Sequence, residues 1–421
     1  MTVKLTGGLL SVIDYLASGY ALFAIALILL VLIILIVVTL IRSGSANSSA
    51  RKSDVAAAEK SVGRKRFDGL SKTDDEGVKS PFPPENDITF KDLCKNFRDF
   101  AAGNLKLYYE ERDIRKFIAG MAVSHIIILQ GMSGTGKTSL AYAFGEYLGN
   151  PSTIIPVQPM WKERTDLIGY YNEFTKRFNE TDLLKKMYEA NYGKGLYITV
   201  LDEMNIARVE YYFAEFLSLL EIPDPQKRLL TVVSDEWSDD PKKLVNGHVL
   251  LPENMWFIGT ANNDDSTFAI SDKVYDRAMV MNLDAKAERY QVSGAQKQFI
   301  TYEKFSLLKA EALEEYAMTA RNKKRLKQLD KFLTDNYRVT FGNRIMKQIN
   351  EYLSVYMSCG GDELEALDDI IAKKVLRKLS SLNPVYIRNT AENFLKFLDG
   401  LFGEENMLEC KAVIRRLELN A

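Results

Sequence analysis

The sequence predicts an α/β protein: an open parallel sheet with helices between its strands, an all-helical region after it and one apolar spanning helix before it. Three observations carry this. Ala21 to Ile41 is an unbroken apolar run in which Thr39 is the only polar side chain. From about Asn86 to Asp284, short apolar strands alternate with helical segments, as an open parallel sheet requires. Beyond Asp284 only helical periodicity remains. Over 421 residues, 47% hydrophobic and 26% charged content is ordinary for folded cores.

The apolar run matches the roughly 20 residues needed to cross a bilayer, exceeds the h-region of a signal peptide, and is bracketed by Tyr20 and Arg42. Only Lys4 precedes it, whereas Arg42, Arg51, Lys52, Lys60, Arg64, Lys65 and Arg66 follow. This charge bias predicts a single-pass protein of the cell membrane, N-terminus outside and body cytoplasmic, with the basic stretch also suited to anionic lipid. Ser43 to Glu85, rich in Ser, Lys, Asp and Gly and ending in Pro81, Pro83 and Pro84, reads as a flexible tether.

A net charge of −1 gives no global reason to expect nucleic-acid binding. Cys94, Cys359 and Cys410 are odd in number and far apart, the pattern of free thiols rather than of a disulfide framework or zinc site. With His125 and His248 the only histidines, both beside predicted strands, His-rich metal sites and a Ser-His-Asp machine are poorly supplied, and both read as structural.

The strongest signal follows the predicted strand His125 to Gln130: Gly131-Met132-Ser133-Gly134-Thr135-Gly136-Lys137-Thr138, then the helical SLAYAFGEYL beginning at Ser139. This is a complete Walker A motif. Its glycines let backbone N–H groups curl toward phosphates at a helix N-terminus. Gly131, Ser133, Gly134, Thr135, Gly136, Lys137, Thr138 and Ser139 are therefore candidate phosphate-binding residues, with Lys137 reaching the β- and γ-phosphates and Thr138 ligating Mg²⁺.

Leu196 to Leu201 is a second buried strand, ending in Asp202-Glu203. Asp202 can hold the Mg²⁺ shell, and Glu203 can orient and polarise the attacking water. A third strand, Trp256 to Thr260, leads into Ala261-Asn262-Asn263-Asp264-Asp265 and offers Asn262 to the γ-phosphate or the water. Arg277, in DKVYDRA, is a candidate to reach a neighbouring subunit's nucleotide, because a planar guanidinium stabilises phosphoryl oxygens.

DEMNIARVEYYFAEFLSLLE together with GTANNDDSTFAISDKVYDRA resembles the AAA+ module of McrB-type restriction motors and their MoxR-like, dynein-related relatives, over roughly Ile126 to Asp284. The resemblance implies Asn262 as sensor 1, Arg277 as arginine finger and self-association into a ring, a hexamer. Asn262 and Asp265 keep the family's Asn-to-Asp spacing. Arg344, in Phe341-Gly342-Asn343-Arg344, falls at the lid's nucleotide-sensing arginine or is an exposed helix arginine. The TDLIG stretch puts Trp161 and Arg164 at a ring pore or partner, or in sheet-to-helix packing.

The expected organisation is a short extracytoplasmic N-terminus (1–20), a transmembrane helix (21–41), a flexible basic linker (42–85), an AAA+ P-loop NTPase domain (86–284) and a helical lid with C-terminal helices (285–421). Within the lid, Leu364, Leu367, Ile371, Val375, Leu379 and Leu382 form one apolar face, read as packing, until Asn383-Pro384 stops the run. Ile222 to Leu251 reads as a polar insertion, in which Asp224 and Asp240-Pro241-Lys242 only superficially mimic a nuclease pattern. The expected function is an anchored NTPase hydrolysing ATP, or GTP, with Mg²⁺ to remodel or move a protein partner. Two alternatives are a nucleotide-gated membrane scaffold or defence switch that recruits an effector, and a DNA motor with a separate nuclease. The span occupies the place of the restriction motors' DNA-reading domain, and no basic aromatic stripe supports nucleic acid.

Overall fold

The computed structural model describes residues 65–262, 267–284 and 286–419. Ten strands are present among them: β1 (Ile126–Gly131), β2 (Thr153–Pro156), β3 (Gly169–Asn172), β4 (Arg177–Glu180), β5 (Tyr197–Asp202), β6 (Leu229–Thr231), β7 (Leu244–Val245), β8 (His248–Leu250), β9 (Met255–Asn262) and β10 (Met279–Asn282). Five form the central sheet in the order β10-β1-β9-β5-β2, every pair parallel. Strand alternation explains their apolar runs: Ile127 and Leu129 enter the core on one face, Ile126 and Ile128 that on the other.

Helices α1 (Asp68–Glu76), α2 (Phe90–Leu105) and α3 (Glu111–Val123) precede the sheet, and α4 (Lys137–Tyr147) follows β1. Between the strands lie α5 (Thr165–Ile168), α6 (Asp182–Ala190), α7 (Val209–Tyr212), α8 (Ala214–Leu219) and α9 (Asp272–Tyr275). The C-terminal region contains α10 (Tyr302–Glu315), α11 (Ala320–Tyr337), α12 (Asn343–Ser358), α13 (Glu363–Lys374), α14 (Pro384–Phe402) and α15 (Leu408–Leu419). Phe97, Phe117 and Phe144 join α2, α3 and α4 under the sheet, and this core continues into the helical region through Tyr352, Leu353 and Tyr356.

Several expectations are corrected. Part of the expected tether is folded: Arg66 is 2% exposed, and Phe67 stacks on Phe178 with centroids 4.9 Å apart. Glu180 accepts from the first-turn N–H groups of Gly69 (2.7 Å) and Leu70 (2.9 Å), anchoring the start of α1. The polar insertion forms a three-stranded antiparallel sheet, β6-β8-β7, and β3 and β4 pair as a hairpin. The single apolar face expected to run to Leu382 leaves α-helical geometry after Lys374 and continues as a 3₁₀ stretch, Leu376–Ser381.

The expected cell-membrane localisation is also corrected, because among the described residues no helix is long and apolar enough to cross a membrane. The longest, α14, has 19 residues but carries Arg388, Glu392, Lys396 and Asp399, charges too costly for a bilayer core. The segment 21–41 that prompted the expectation lies outside the described residues, as do the N-terminal domains assigned to 1–20 and to most of 42–85.

Candidate functional site

The glycine loop runs from β1 to α4. Gly131 (φ 142°), Gly134 (φ 77°) and Gly136 (φ 95°) have positive φ, which lets the chain curl back over the helix start. At Gly131 a Cβ would lie 2.2 Å from the Leu283 carbonyl oxygen, so only glycine fits. Lys137 is buried and donates to the loop's own carbonyls, Gly131 O at 3.0 Å and Met132 O at 2.7 Å. Burial pulls its ammonium below the ordinary lysine value, against Asp202, Asp284 and Glu203, which favour the charge. Thr135 Oγ1 donates to Met132 O at 3.0 Å, while Ser133 and Ser139 lie on the same loop and first helical turn.

At the end of β5, Asp202 Oδ1 accepts from Thr138 Oγ1 (2.6 Å) and Thr260 Oγ1 (2.8 Å), joining the loop helix, β5 and β9. Thr260 Oγ1 in turn accepts from Glu203 N at 2.8 Å. Glu203 has φ 52° and ψ 46°, a left-handed conformation costing a non-glycine residue about 1–2 kcal/mol. This turn leads into the 3₁₀ segment Met204–Ile206. Gly259 makes room for it, since a Cβ there would lie 1.9 Å from Met204 Sδ.

Asn262 ends β9 in register with Gly131 of the loop. Its carbonyl accepts from Asn205 Nδ2 at 3.0 Å and Thr267 Oγ1 at 3.2 Å, so Asn205 ties the turn after Glu203 to the end of β9. Residues 263–266, including Asp265 of the expected Asn-to-Asp pair, lie outside the described residues.

Thr138, Asp202 and the loop thus fit Mg²⁺ and a triphosphate: a hydroxyl and a carboxylate converge beside backbone N–H groups and a buried lysine.

The two candidate arginines lie elsewhere. Ser124 Oγ, just before β1, donates to the Arg277 carbonyl at 2.7 Å, placing Arg277 at the sheet edge where β1 begins. The six residues of β1 separate that edge from the loop by about 20 Å. Arg344 is beside Arg277 and not beside its own chain's phosphate loop, because both guanidiniums bind one carboxylate, Glu221. Burial pushes the Glu221 carboxyl up, but Arg344 and Arg277 outweigh it and hold it below the ordinary carboxylate range. The three residues line a cavity of about 640 Å³ that also includes Arg228, Lys309 and Lys347.

Trp161 packs edge-on against Tyr212 with centroids 5.6 Å apart, and Arg164 Nη1 binds both oxygens of Glu215, the packing alternative. Asp240 gives both oxygens to Arg66 at 2.6 Å, and Asp224 caps a 3₁₀ turn, so the nuclease-like residues hold structure. His125 is half-buried and stacks on Trp256, while His248 Nδ1 lies 2.6 Å from Asn246 O. Sequence reading missed Glu221, Thr260 and Asn205. The hydroxyl in GTANN and the Asn in DEMN were visible, but nothing local marks Glu221, whose partners are 56 and 123 residues away.

A parallel sheet in this order, with a glycine loop after β1 and an Asp-Glu pair at the end of β5, fits the P-loop fold of the AAA+ kind. Residues 126–278 match the family of the AAA domain (dynein-related subfamily). Residues 291–418 match a domain of unknown function, DUF8727. Among solved structures, the chain is similar to one from Cytophaga hutchinsonii described as a "putative ATPase", with 13% identity, a TM-score of 0.46, and coverage of 73% of this chain and 93% of that one. No curated protein matches.

Proposed function

We propose that the chain is a motor of the McrB-type and MoxR-like kind, working as a hexameric ring that hydrolyses ATP, or GTP, to remodel or move a protein partner. Each nucleotide site takes its phosphate loop from one subunit and Arg277 with Arg344 from the next. The observation that supports this reading is that both arginines bind Glu221 near the start of β1, the end of the strand away from their own loop. The Nε of Arg277 is buried with no hydrogen-bond partner among the described residues, a donor left for an anion.

In this reading Lys137 exchanges the Gly131 and Met132 carbonyls for the β- and γ-phosphates, and Ser133 to Ser139 cradle them with backbone N–H groups. Thr138 and Asp202 hold Mg²⁺, which when bound neutralises phosphate charge. Glu203 orients and polarises the attacking water, and Asn262 steadies the γ-phosphate. A neighbour's triphosphate competes with Glu221 for the two arginines.

The test is turnover of the purified full chain with ATP and with GTP. Lys137→Ala and Glu203→Gln should each lose on the order of 10²–10³-fold. Arg277→Ala should lose about 10³-fold or more, with partial recovery on mixing with Glu203→Gln, whose arginines are intact. Full turnover by Arg277→Ala alone as a dilute monomer would sink the reading.

A further inference from the structure

Lys374, the last residue of α13, is 4% exposed, although it carries an ammonium at the end of a flexible chain. It donates to two main-chain carbonyls, Tyr275 O at 3.1 Å and Asp276 O at 3.3 Å. These are the last carbonyls of α9, immediately before Arg277, where a cation complements the unpaired C=O groups. Two further contacts come from the 3₁₀ stretch after α13: Arg377 Nη1 binds Asp272 at 2.6 Å and its Cζ lies 4.0 Å from the Tyr275 ring centroid, and Lys378 faces Asp276 at 3.7 Å. Both ion pairs involve half-exposed or exposed carboxylates and contribute little to fixing position. The buried contact dominates.

At its other face α9 touches the phosphate-loop strand, for Gln130 Nε2, one residue before Gly131, donates to the Tyr275 hydroxyl. The short helix is therefore held between the nucleotide strand and the C-terminal helices. Burial pulls the Lys374 ammonium down to about 7, with Asp276 opposing and Arg344, Arg377 and Lys378 reinforcing. A buried lysine held by two main-chain carbonyls, where an apolar side chain would suffice to pack, points to a role other than packing.

From this juxtaposition we infer that Lys374 is the positioning residue for Arg277, through which the C-terminal helices set where the arginine meets the neighbouring subunit's nucleotide. The inference rests on the proposed donation of Arg277 between subunits. It adds that Lys374 acts only on the arginine of its own chain and not on its own nucleotide.

Mixed assemblies of full-length subunits separate the two ideas. Glu203→Gln donates a sound arginine and Arg277→Ala accepts one, so their recovery of turnover on mixing tests donation itself. No recovery would refute donation, and the positioning role with it. With recovery established, Lys374→Met is added to each partner in turn. On the Glu203→Gln donor it should cut recovered turnover on the order of 10–100-fold at unchanged KM, as a misplaced catalytic group does. On the Arg277→Ala acceptor it should leave recovery within about twofold, which also shows that the substituted chain folds and assembles. A donor that still works at full rate, or an acceptor that fails, overturns the positioning role while leaving donation standing.

Discussion

At the scale of single residues, the site depends on atoms held in costly states by their neighbours. Glu203 keeps a left-handed backbone because its N–H is fixed by Thr260 and Gly259 leaves room for Met204. Lys137 spends its charge on carbonyls of the loop it will serve. His125 shows the structural counterpart. Burial, opposed by the Glu253 carbonyl, lowers its pKa to about 4, so the folded protein holds it neutral. Between pH 6.5 and 4 the unfolded chain takes up a proton that the native state refuses. Its contribution is thus present above about pH 6.5 and lost on acidification, on the order of 3 kcal/mol. Replacing His125 with Phe should flatten the fall in stability over this range, measured as denaturation midpoints from pH 7 to 4.

At the scale of elements, α1 is held by a charge that sequence reading assigned to a tether. Arg66 is fully surrounded: Asp240 takes its Nε and Nη2, the Asp235 carbonyl accepts a further bond at 2.7 Å, and Trp237 lies 4.5 Å from the guanidinium. Removing one partner of such a buried pair strands the other, at about 3–5 kcal/mol. Arg66→Ala should release α1 from the insertion sheet, read as faster proteolysis within Arg66–Glu76 and a lower unfolding midpoint. Unchanged cleavage and midpoint would show that Phe67, Leu70 and the Glu180 cap suffice. The same contact explains why composition misled. A basic, serine-rich stretch looks disordered until an acid 174 residues away is brought to it.

At the scale of the whole molecule, the helices before the sheet and those after it share a buried ionic centre. Asp369 on α13 accepts from Lys373, from Lys116 of α3 at 2.9 Å and from the Tyr352 hydroxyl of α12 at 2.7 Å. Burial opposes its charge, but the two lysines hold the carboxyl well below the ordinary range. Asp369→Asn would leave Lys373 without its carboxylate and Lys116 with Glu409 alone, and a loss of about 3–5 kcal/mol is expected in chemical denaturation. A much smaller change would mean that the lysines relax to solvent. Because α3 leads into β1, this centre fixes the C-terminal helices beside the nucleotide strand.

The phosphate loop, the Asp-Glu pair and the parallel strands were legible in the linear chain because their physics is local: glycine dihedrals, a helix start and alternating apolar runs within a few residues. The insertion sheet was not, since its strands are only two or three residues long and paired across loops. Glu221 and Lys374 were equally silent, because each draws its meaning from partners about 55 to 125 residues distant. Composition near the N-terminus pointed to a membrane, whereas among the described residues no helix is long and apolar enough to cross one. The chemistry was thus written in short motifs, while the pairing that brings Arg277 and Arg344 together arose only when distant elements met on one carboxylate, as electrostatic pairing depends on distance in space and not along the chain.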